Sequence, residues 1–252
     1  MGHKAIVLAA GSGTRLAPLT NETPKALCRI ADVALLDRAV DLIRPFVDEV
    51  AINACHHAEQ IVAHVNGRHH VSVESPAAYG TGGAVAALRE WLDGADAFIL
   101  NTDSLILGDI APFVVGTSGP TVRLLVHYHR HRPDFRAMWR FSGLSFLPNR
   151  CIDDLPAAGL ESDLYKRVWK PHEDRGVLQL QPLHGCAIDC GTLRDYLAAN
   201  LTMNGGRSVV EAGAVVHGTI DNCIVQRDAI VEPGEHLVGA IRTAAGTTIQ
   251  VL

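Results

Sequence analysis

The sequence predicts an α/β protein: a Rossmann-like, mostly parallel mixed sheet with helices on both faces, followed by a short C-terminal left-handed β-helix stub. Three observations carry this prediction. Short continuous apolar runs alternate with segments of helical spacing through most of the chain, the pattern of βαβ units. Polar clusters rich in glycine or aspartate close two of those runs, where ligands of parallel sheets bind. From about Ser208 the chain becomes β-branched, glycine-punctuated and poor in helix formers.

The elements follow in order. Lys4 to Ala10 is an unbroken apolar run ending at Gly11-Ser12-Gly13, which reads as a strand buried on both faces and then a tight turn. Leu35 to Phe46 has helical spacing, Glu49 to Ala54 reads as a strand, His57 to Val65 as a helix and Val71 to Glu74 as a strand. Gly82 to Leu92 is helical in pattern, and Ala97 to Leu100 is a short buried strand ending at Asn101-Thr102-Asp103. Thr121 to His127 supplies a further strand. In the tail, apolar residues recur at intervals of roughly six residues, with slips, enough for about two to three β-helical coils. An antiparallel extension is the alternative. The expected organisation is a domain over 1–205 and a β-helix-like segment over 206–252, docked on that domain or on a second copy of the chain.

Composition narrows the function. The chain has 252 residues, 48% of them hydrophobic and 19% charged, with a formal net charge of −5. That supports a large core and argues against a general nucleic-acid binder. The first apolar run is too short to span a membrane, and no signal-peptide cleavage pattern follows it. Six cysteines without paired spacing read as free thiols of a reducing, cytoplasmic setting. The pairs His56-His57 and His69-His70 are poor metal sites, because adjacent side chains diverge.

The densest chemical signal is Leu8-Ala9-Ala10-Gly11-Ser12-Gly13-Thr14-Arg15-Leu16, followed by Pro24-Lys25-Ala26-Leu27. A phosphate-binding turn needs backbone N–H groups directed into one space, and glycine permits both the dihedrals and the approach. Arg15 adds a planar cation and Lys25 a point charge. The stretch lacks the third glycine of a dinucleotide fingerprint and the Gly-Lys-Ser/Thr of a P-loop.

This stretch resembles the signature of the nucleotidyltransferases that make nucleotide sugars, G-x-G-T-R-L followed by P-K-x-L. Glu74-Ser75-Pro76 with Gly80-Thr81-Gly82-Gly83 is similar to that family's nucleobase-binding loop and helix start. Asn101-Thr102-Asp103 resembles its first metal-aspartate motif, and Ile188-Asp189-Cys190-Gly191-Thr192 its second. Phe141-Ser142-Gly143 resembles its sugar-contacting segment. The resemblance covers most of residues 4–200. It looks most like N-acetylmuramate-1-phosphate uridylyltransferases in the core, and like mannose-1-phosphate guanylyltransferases in the tail.

The resemblance implies attack of a sugar 1-phosphate oxygen on the α-phosphorus of a nucleoside triphosphate. Asp103 and Asp189 would converge on Mg²⁺, Arg15 would hold the departing pyrophosphate, and Lys25 would neutralise charge at the α-phosphate. A carboxylate at Glu74 accepts hydrogen bonds only, which suits the adjacent donors of guanine and tilts the expectation to GTP with a mannose-1-phosphate-like acceptor. Glu74 facing solvent at a strand end is the plain alternative.

Two departures from the family pattern matter. Thr102 replaces a glycine before the metal aspartate. The region after Asp134-Phe135-Arg136 is short and lacks a lysine that relatives often use near the sugar. Arg130 or Arg132, in the run His127-Tyr128-His129-Arg130-His131-Arg132, is the expected substitute; a solvated basic loop is the alternative. Rival functions are uridylyl or thymidylyl transfer, cytidylyl transfer to a non-sugar phosphate or phosphonate, and a non-catalytic regulatory subunit that binds nucleotide sugars. A homo-oligomer through the C-terminal segment is a further expectation, with no nucleic acid or membrane partner.

Overall fold

The computed structural model describes residues 3–252. Strand β1 (Lys4–Leu8) is followed by the hairpin β2 (Arg29–Ile30) and β3 (Val33–Ala34) and by helix α1 (Leu35–Ile43). The alternation continues through β4 (Glu49–Ala54), α2 (Ala58–Val65), β5 (His70–Val73), α3 (Gly80–Ala87), α4 (Arg89–Leu92) and β6 (Ala97–Asn101). Next come β7 (Ser104–Gly108), α5 (Ala111–Val114), β8 (Arg123–Tyr128), β9 (Trp139–Leu147) and α6 (Asn149–Asp153). A π-helical turn, Tyr165–Trp169, runs into α7 (Lys170–Asp174), then β10 (Gln179–Pro182), β11 (Gly185–Asp189) and α8 (Leu193–Met203).

Seven strands form one sheet in the order β10-β8-β9-β6-β1-β4-β5. β1 lies between β4 and β6, parallel to both, and β5 and β10 also pair in parallel. Only β9 runs against its neighbours β6 and β8, which makes the sheet mixed. The central strands are apolar throughout because both faces are covered: Ala5, Ile6 and Val7 of β1 and Ala97 to Leu100 of β6 are all buried. On one face α1 buries Leu36, Ala39, Val40 and Ile43, at the spacing of one helical stripe, against Val7, Ile52 and Phe98. On the other face Val85, Ala86 and Leu88 pack with Ile6, Ile99 and Ile152. The helix expected over Gly82–Leu92 begins two residues earlier, at Gly80, and is interrupted at Leu88, so it becomes α3 and α4.

The tail is a parallel coil. Its strands are β12 (Val209–Val210), β13 (Val215–Val216), β14 (Thr219–Asp221), β15 (Ile224–Val225), β16 (Ile230–Val231), β17 (His236–Val238), β18 (Ala240–Arg242) and β19 (Thr248–Gln250). β12, β15 and β18 stack in parallel, as do β13 with β16 and β14 with β17. Val209 pairs with Ile224 and Ile224 with Ile241, so successive coils advance by 15 and then 17 residues. The slips from a six-residue period sit at these unequal corners. Only β19 returns antiparallel, closing the end on β18. Val225, Ala229 and Val231 fill the coil interior. Val209, Ile224 and Ile241 face outward into a second core, shared with Leu16, Ile30, Leu35 and Tyr196 of the preceding region. No helix among the described residues is long and apolar enough to cross a membrane.

Candidate active site

A cleft of about 350 Å³ opens at the carboxyl ends of β1 and β6. Its floor and one wall are Leu8, Ala9, Ala10, Gly11, Ser12, Gly13, Thr14, Arg15 and Lys25, contiguous with Asn101, Thr102, Asp103 and Gly191. Asn53, Glu74, Ala78, Gly80 and Thr81 form the opposite wall. Pro76 is exposed and outside this lining; Ala78 faces the cleft from the same loop.

The turn after β1 is built from its glycines. Gly13 has φ +66°, and a Cβ there would lie 2.9 Å from the Thr20 methyl and 3.0 Å from Lys25 Cβ. The Thr20 hydroxyl donates to the Gly13 carbonyl at 2.8 Å, so the loop folds back and brings Lys25 beneath the turn. Pro24 then leads into a single 3₁₀ turn, and Lys25, 9% exposed, extends into the cleft. Gly11 differs: its Cβ would meet nothing within 4 Å. Open space at a cleft-lining glycine is room for a ligand.

Lys25 Nζ lies 2.5 Å from Asp103 Oδ2. Thr102 and Asp103 join β6 to β7, which returns to pair with β11, so that Ser104 sits opposite Asp189. The Cys190 N–H donates to the Asp103 carbonyl at 2.7 Å, which ties the two aspartates to one edge. Gly191 is a glycine for a readable reason. A Cβ at that position would lie 2.7 Å from both Arg15 Nη2 and Asp189 Oδ1. Thr192 then caps α8: its hydroxyl accepts from the Asp195 N–H and donates to the Asp195 carboxylate. Arg15, Lys25, Asp103 and Asp189, distant in sequence, therefore gather at one mouth. Cys28 and Cys190, beside Lys25 and Asp189, are pushed up to about 12 by burial and stay protonated, so neither is a thiolate nucleophile.

Thr102 fits at the position of the family's glycine. Its side chain turns down and donates to the Leu8 carbonyl at 2.9 Å, closing the end of β1. Asn53, unnoticed in the sequence, links the two walls: its Oδ1 accepts from the Ala9 N–H and its Nδ2 donates to Glu74 Oε1, both at 2.7 Å. The other Glu74 oxygen accepts from the Tyr79 N–H at 2.6 Å. Glu74 is 3% exposed and does not face solvent. It works as a strut.

The second glycine cluster packs rather than cradles. Cβ atoms at Gly80, Gly82 and Gly83 would strike the Leu160–Ser162 segment. The Ser162 carbonyl already accepts the N–H groups of Gly82 and Gly83, and Thr81 Oγ1 accepts from the Leu164 N–H. The next two residues, Asp163 and Leu164, wall a side chamber of about 140 Å³ shared with Leu8, Thr81 and Asn101, and lined also by Phe141, Ser145, Tyr165 and Trp169. Ser145 Oγ and Trp169 Nε1 are buried there without hydrogen-bond partners.

The sugar-side residues expected from the sequence fall outside the cleft lining. Ser142 is buried, with Oγ 3.0 Å from His127 Nδ1, and Gly143 is a glycine because a Cβ would collide with Ser104. Neither lines the cleft; Phe141, their neighbour, lines the side chamber. Arg130 and Arg132 are exposed, on the loop between β8 and β9, and neither lines the cleft. The cation of this region that reaches Asp189 is Arg140, with Nη2 3.3 Å from Asp189 Oδ2. Strand alternation puts Arg140 and Ser142 on one face of β9, under β11, a placement visible only once β9 is known. Burial first, then His129 and Arg140, holds His127 below its ordinary value of 6.5, so it is neutral at pH 7.

As a metal site the pair is open rather than closed. Among the described residues no group of three or more His, Cys, Asp or Glu side chains is gathered around a common point. Asp189 Oδ1 is buried with no hydrogen-bond partner, and Asp103 lies across the same mouth. Two carboxylates completed by phosphate and water suit Mg²⁺.

Residues 5–215 match the MobA-like NTP transferase domain. The chain belongs to that family. It is 36% identical over 110 residues to the N-acetylmuramate alpha-1-phosphate uridylyltransferase of Caulobacter vibrioides, a stretch covering 40% of this chain and 46% of that protein. It is 31% identical over 111 residues to the bifunctional protein GlmU of Methanococcus vannielii, covering 44% of this chain and 27% of that one. The matched region thus spans less than half the length of these curated relatives. Among solved structures, the protein named mannose-1-phosphate geranyltransferase from Thermus thermophilus superposes with a TM-score of 0.72 at 17% identity, covering 96% of this chain and 92% of its own. HddC from Yersinia pseudotuberculosis gives 0.63 at 19% identity, covering 79% and 99%. The first match includes most of the C-terminal coil, so the architecture is shared along nearly the whole chain.

Proposed function

We propose that the chain transfers a nucleotidyl group from a nucleoside triphosphate to a sugar 1-phosphate. An acceptor phosphate oxygen bonds to the α-phosphorus, the bond from that phosphorus to the α–β bridging oxygen breaks, and pyrophosphate leaves with the electron pair. One observation carries the reading: a guanidinium, an ammonium and two carboxylates from four separate segments meet at the open end of a glycine turn.

Both reactants are polyanions, so the residues act by cancelling repulsion and fixing alignment. The turn from Ala10 to Thr14 receives the triphosphate chain, Arg15 the β- and γ-phosphates, and Lys25 the charge developing at the α-phosphate. Asp103 and Asp189 would hold Mg²⁺, which supplies charge neutralisation and a common anchor for the two phosphates when bound. The cleft between the Asn53–Glu74 wall and the turn takes the nucleoside, and the side chamber, opening past Thr81 and Asn101, takes the sugar. Glu74 gives weak support for guanine, because both its oxygens already accept protein N–H groups. The uridylyltransferase named among the relatives favours a pyrimidine triphosphate.

The test is pyrophosphate release from a panel of five triphosphates against several sugar 1-phosphates, with Mg²⁺. Release that needs both one triphosphate and one sugar phosphate is expected. Release absent from every pair would favour the non-catalytic reading instead.

A further inference from the structure

We infer that Arg140 is the residue that grips the acceptor's phosphate, the role that the sequence alone assigns to Arg130 or Arg132. The inference rests on the proposed transfer reaction and adds to it one substrate contact. The acceptor brings a second polyanion to a site where Arg15 and Lys25 are assigned to the triphosphate, so a further cation is called for. Two cations, Lys25 and Arg15, line the cleft, and a third, Arg140, stands outside that lining against Asp189. Lys25 is committed to Asp103 at the base of the turn, and Arg15 lies against Gly191 on the triphosphate side. Arg140 reaches Asp189 from β9, on the opposite side of that carboxylate.

Its geometry suits a second, shared anion. Nη1 donates to the Arg132 carbonyl at 3.2 Å and Nη2 to Asp189 Oδ2 at 3.3 Å. A guanidinium carries five N–H donors, so three remain for a phosphate without Arg140 leaving either partner. Its side chain is 19% exposed, enough for ligand contact yet restrained by the strand beneath it. The Asp189 oxygen turned away from Arg140 is the buried one without a partner. A phosphate drawn to a cation held by that oxygen therefore arrives within reach of the same guanidinium. His127 and His129 lie on the same side, and Arg140 helps keep His127 uncharged, so Arg140 is the permanent positive charge of this group. Arg132 thus contributes its backbone carbonyl, which aims Arg140, rather than its own guanidinium.

The experiment compares Arg140→Ala, Arg140→Lys and the double variant Arg130→Ala/Arg132→Ala in the full chain. Expected for Arg140→Ala is a rise of about tenfold or more in the Michaelis constant for the sugar 1-phosphate, with that for the triphosphate within about twofold, the scale of one charge-assisted contact. Arg140→Lys should recover part of the loss, because a point charge replaces the fork. The double variant should leave both constants unchanged. An independent readout is the dissociation constant of inorganic phosphate, by calorimetry with Mg²⁺ and an α,β-methylene triphosphate present. It should weaken in Arg140→Ala. Equal phosphate binding by wild type and Arg140→Ala, or equal rises in both Michaelis constants, would overturn the assignment and leave Arg140 a positioning residue for Asp189. The phosphate measurement decides this even if no pyrophosphate release is found, so failure of the transfer reading and failure of the Arg140 reading can be told apart.

Discussion

Two glycine-rich stretches, Gly11 to Gly13 and Gly80 to Gly83, look alike in sequence and differ in what surrounds them. At Gly11 an added Cβ meets nothing, and the open space faces the cleft. At Gly82 and Gly83 the same atom would strike Ser162, Leu160 and Tyr79, and the backbone donors of both residues are already taken by the Ser162 carbonyl. Gly11 leaves room for a ligand; Gly82 and Gly83 are small so that the protein can fill the space beside them. Glycine content alone does not separate these cases. The space around each residue does.

The contrast is most exposed to refutation at the charges beside the first stretch. Lys25→Ala and Asp103→Asn should each lower turnover at least about a hundredfold, the scale of losing one electrostatic contact to a transition state, with far-UV circular dichroism unchanged. Near-normal turnover in either would remove the first stretch's claim to a triphosphate. The glycines themselves come next. Gly11→Ala should leave the melting temperature nearly unchanged while weakening triphosphate binding about tenfold, as one ill-fitting methyl does in a pocket. Gly83→Ala should do the reverse, destabilising by about 1–3 kcal/mol through overpacking, with binding retained in the folded fraction. If both variants behave alike in denaturant melts and nucleotide titrations, the contrast is wrong.

Smaller effects refine it. Glu74→Ala leaves Asn53 Nδ2 and the Tyr79 N–H without their acceptor and should cost about 1–3 kcal/mol in urea unfolding. A large switch in base preference without loss of stability would instead make Glu74 a reader of the base. The smallest concerns His127. Its folded value lies below 6.5, so its contribution to stability is complete above that pH and is lost as pH falls below it. His127→Gln should flatten the acid side of the stability profile over that window, as measured by denaturant midpoints.

Much of this was legible in the sequence. The buried run from Lys4, the turn at Gly11 to Gly13 and the strand at Ala97 stand out because a strand covered on both faces must be continuously apolar. Asp103 and Asp189 could be paired by motif, and the pairing of β7 with β11 puts them on one edge. Arg140 could not be found that way. Its importance depends on β9 reversing direction beside β6 and on β11 crossing above it, both long-range pairings that local pattern does not encode. Asn53 hid for a similar reason: an asparagine in an apolar strand has no visible role until Ala9 and Glu74 flank it. The tail's period was readable, but its unequal coils blurred it.

The coil's outward face bears on the site from a distance. Val209, Ile224 and Ile241 press on Leu16, the residue after Arg15, and on Tyr196, whose hydroxyl donates to the Arg29 carbonyl at 2.6 Å. Trimming the chain at the end of α8 would therefore not yield a smaller working unit. It would strip apolar partners from the core that holds Leu16, next to the arginine proposed to hold the triphosphate, and a loss of turnover is the expected result of a cut made far from the cleft.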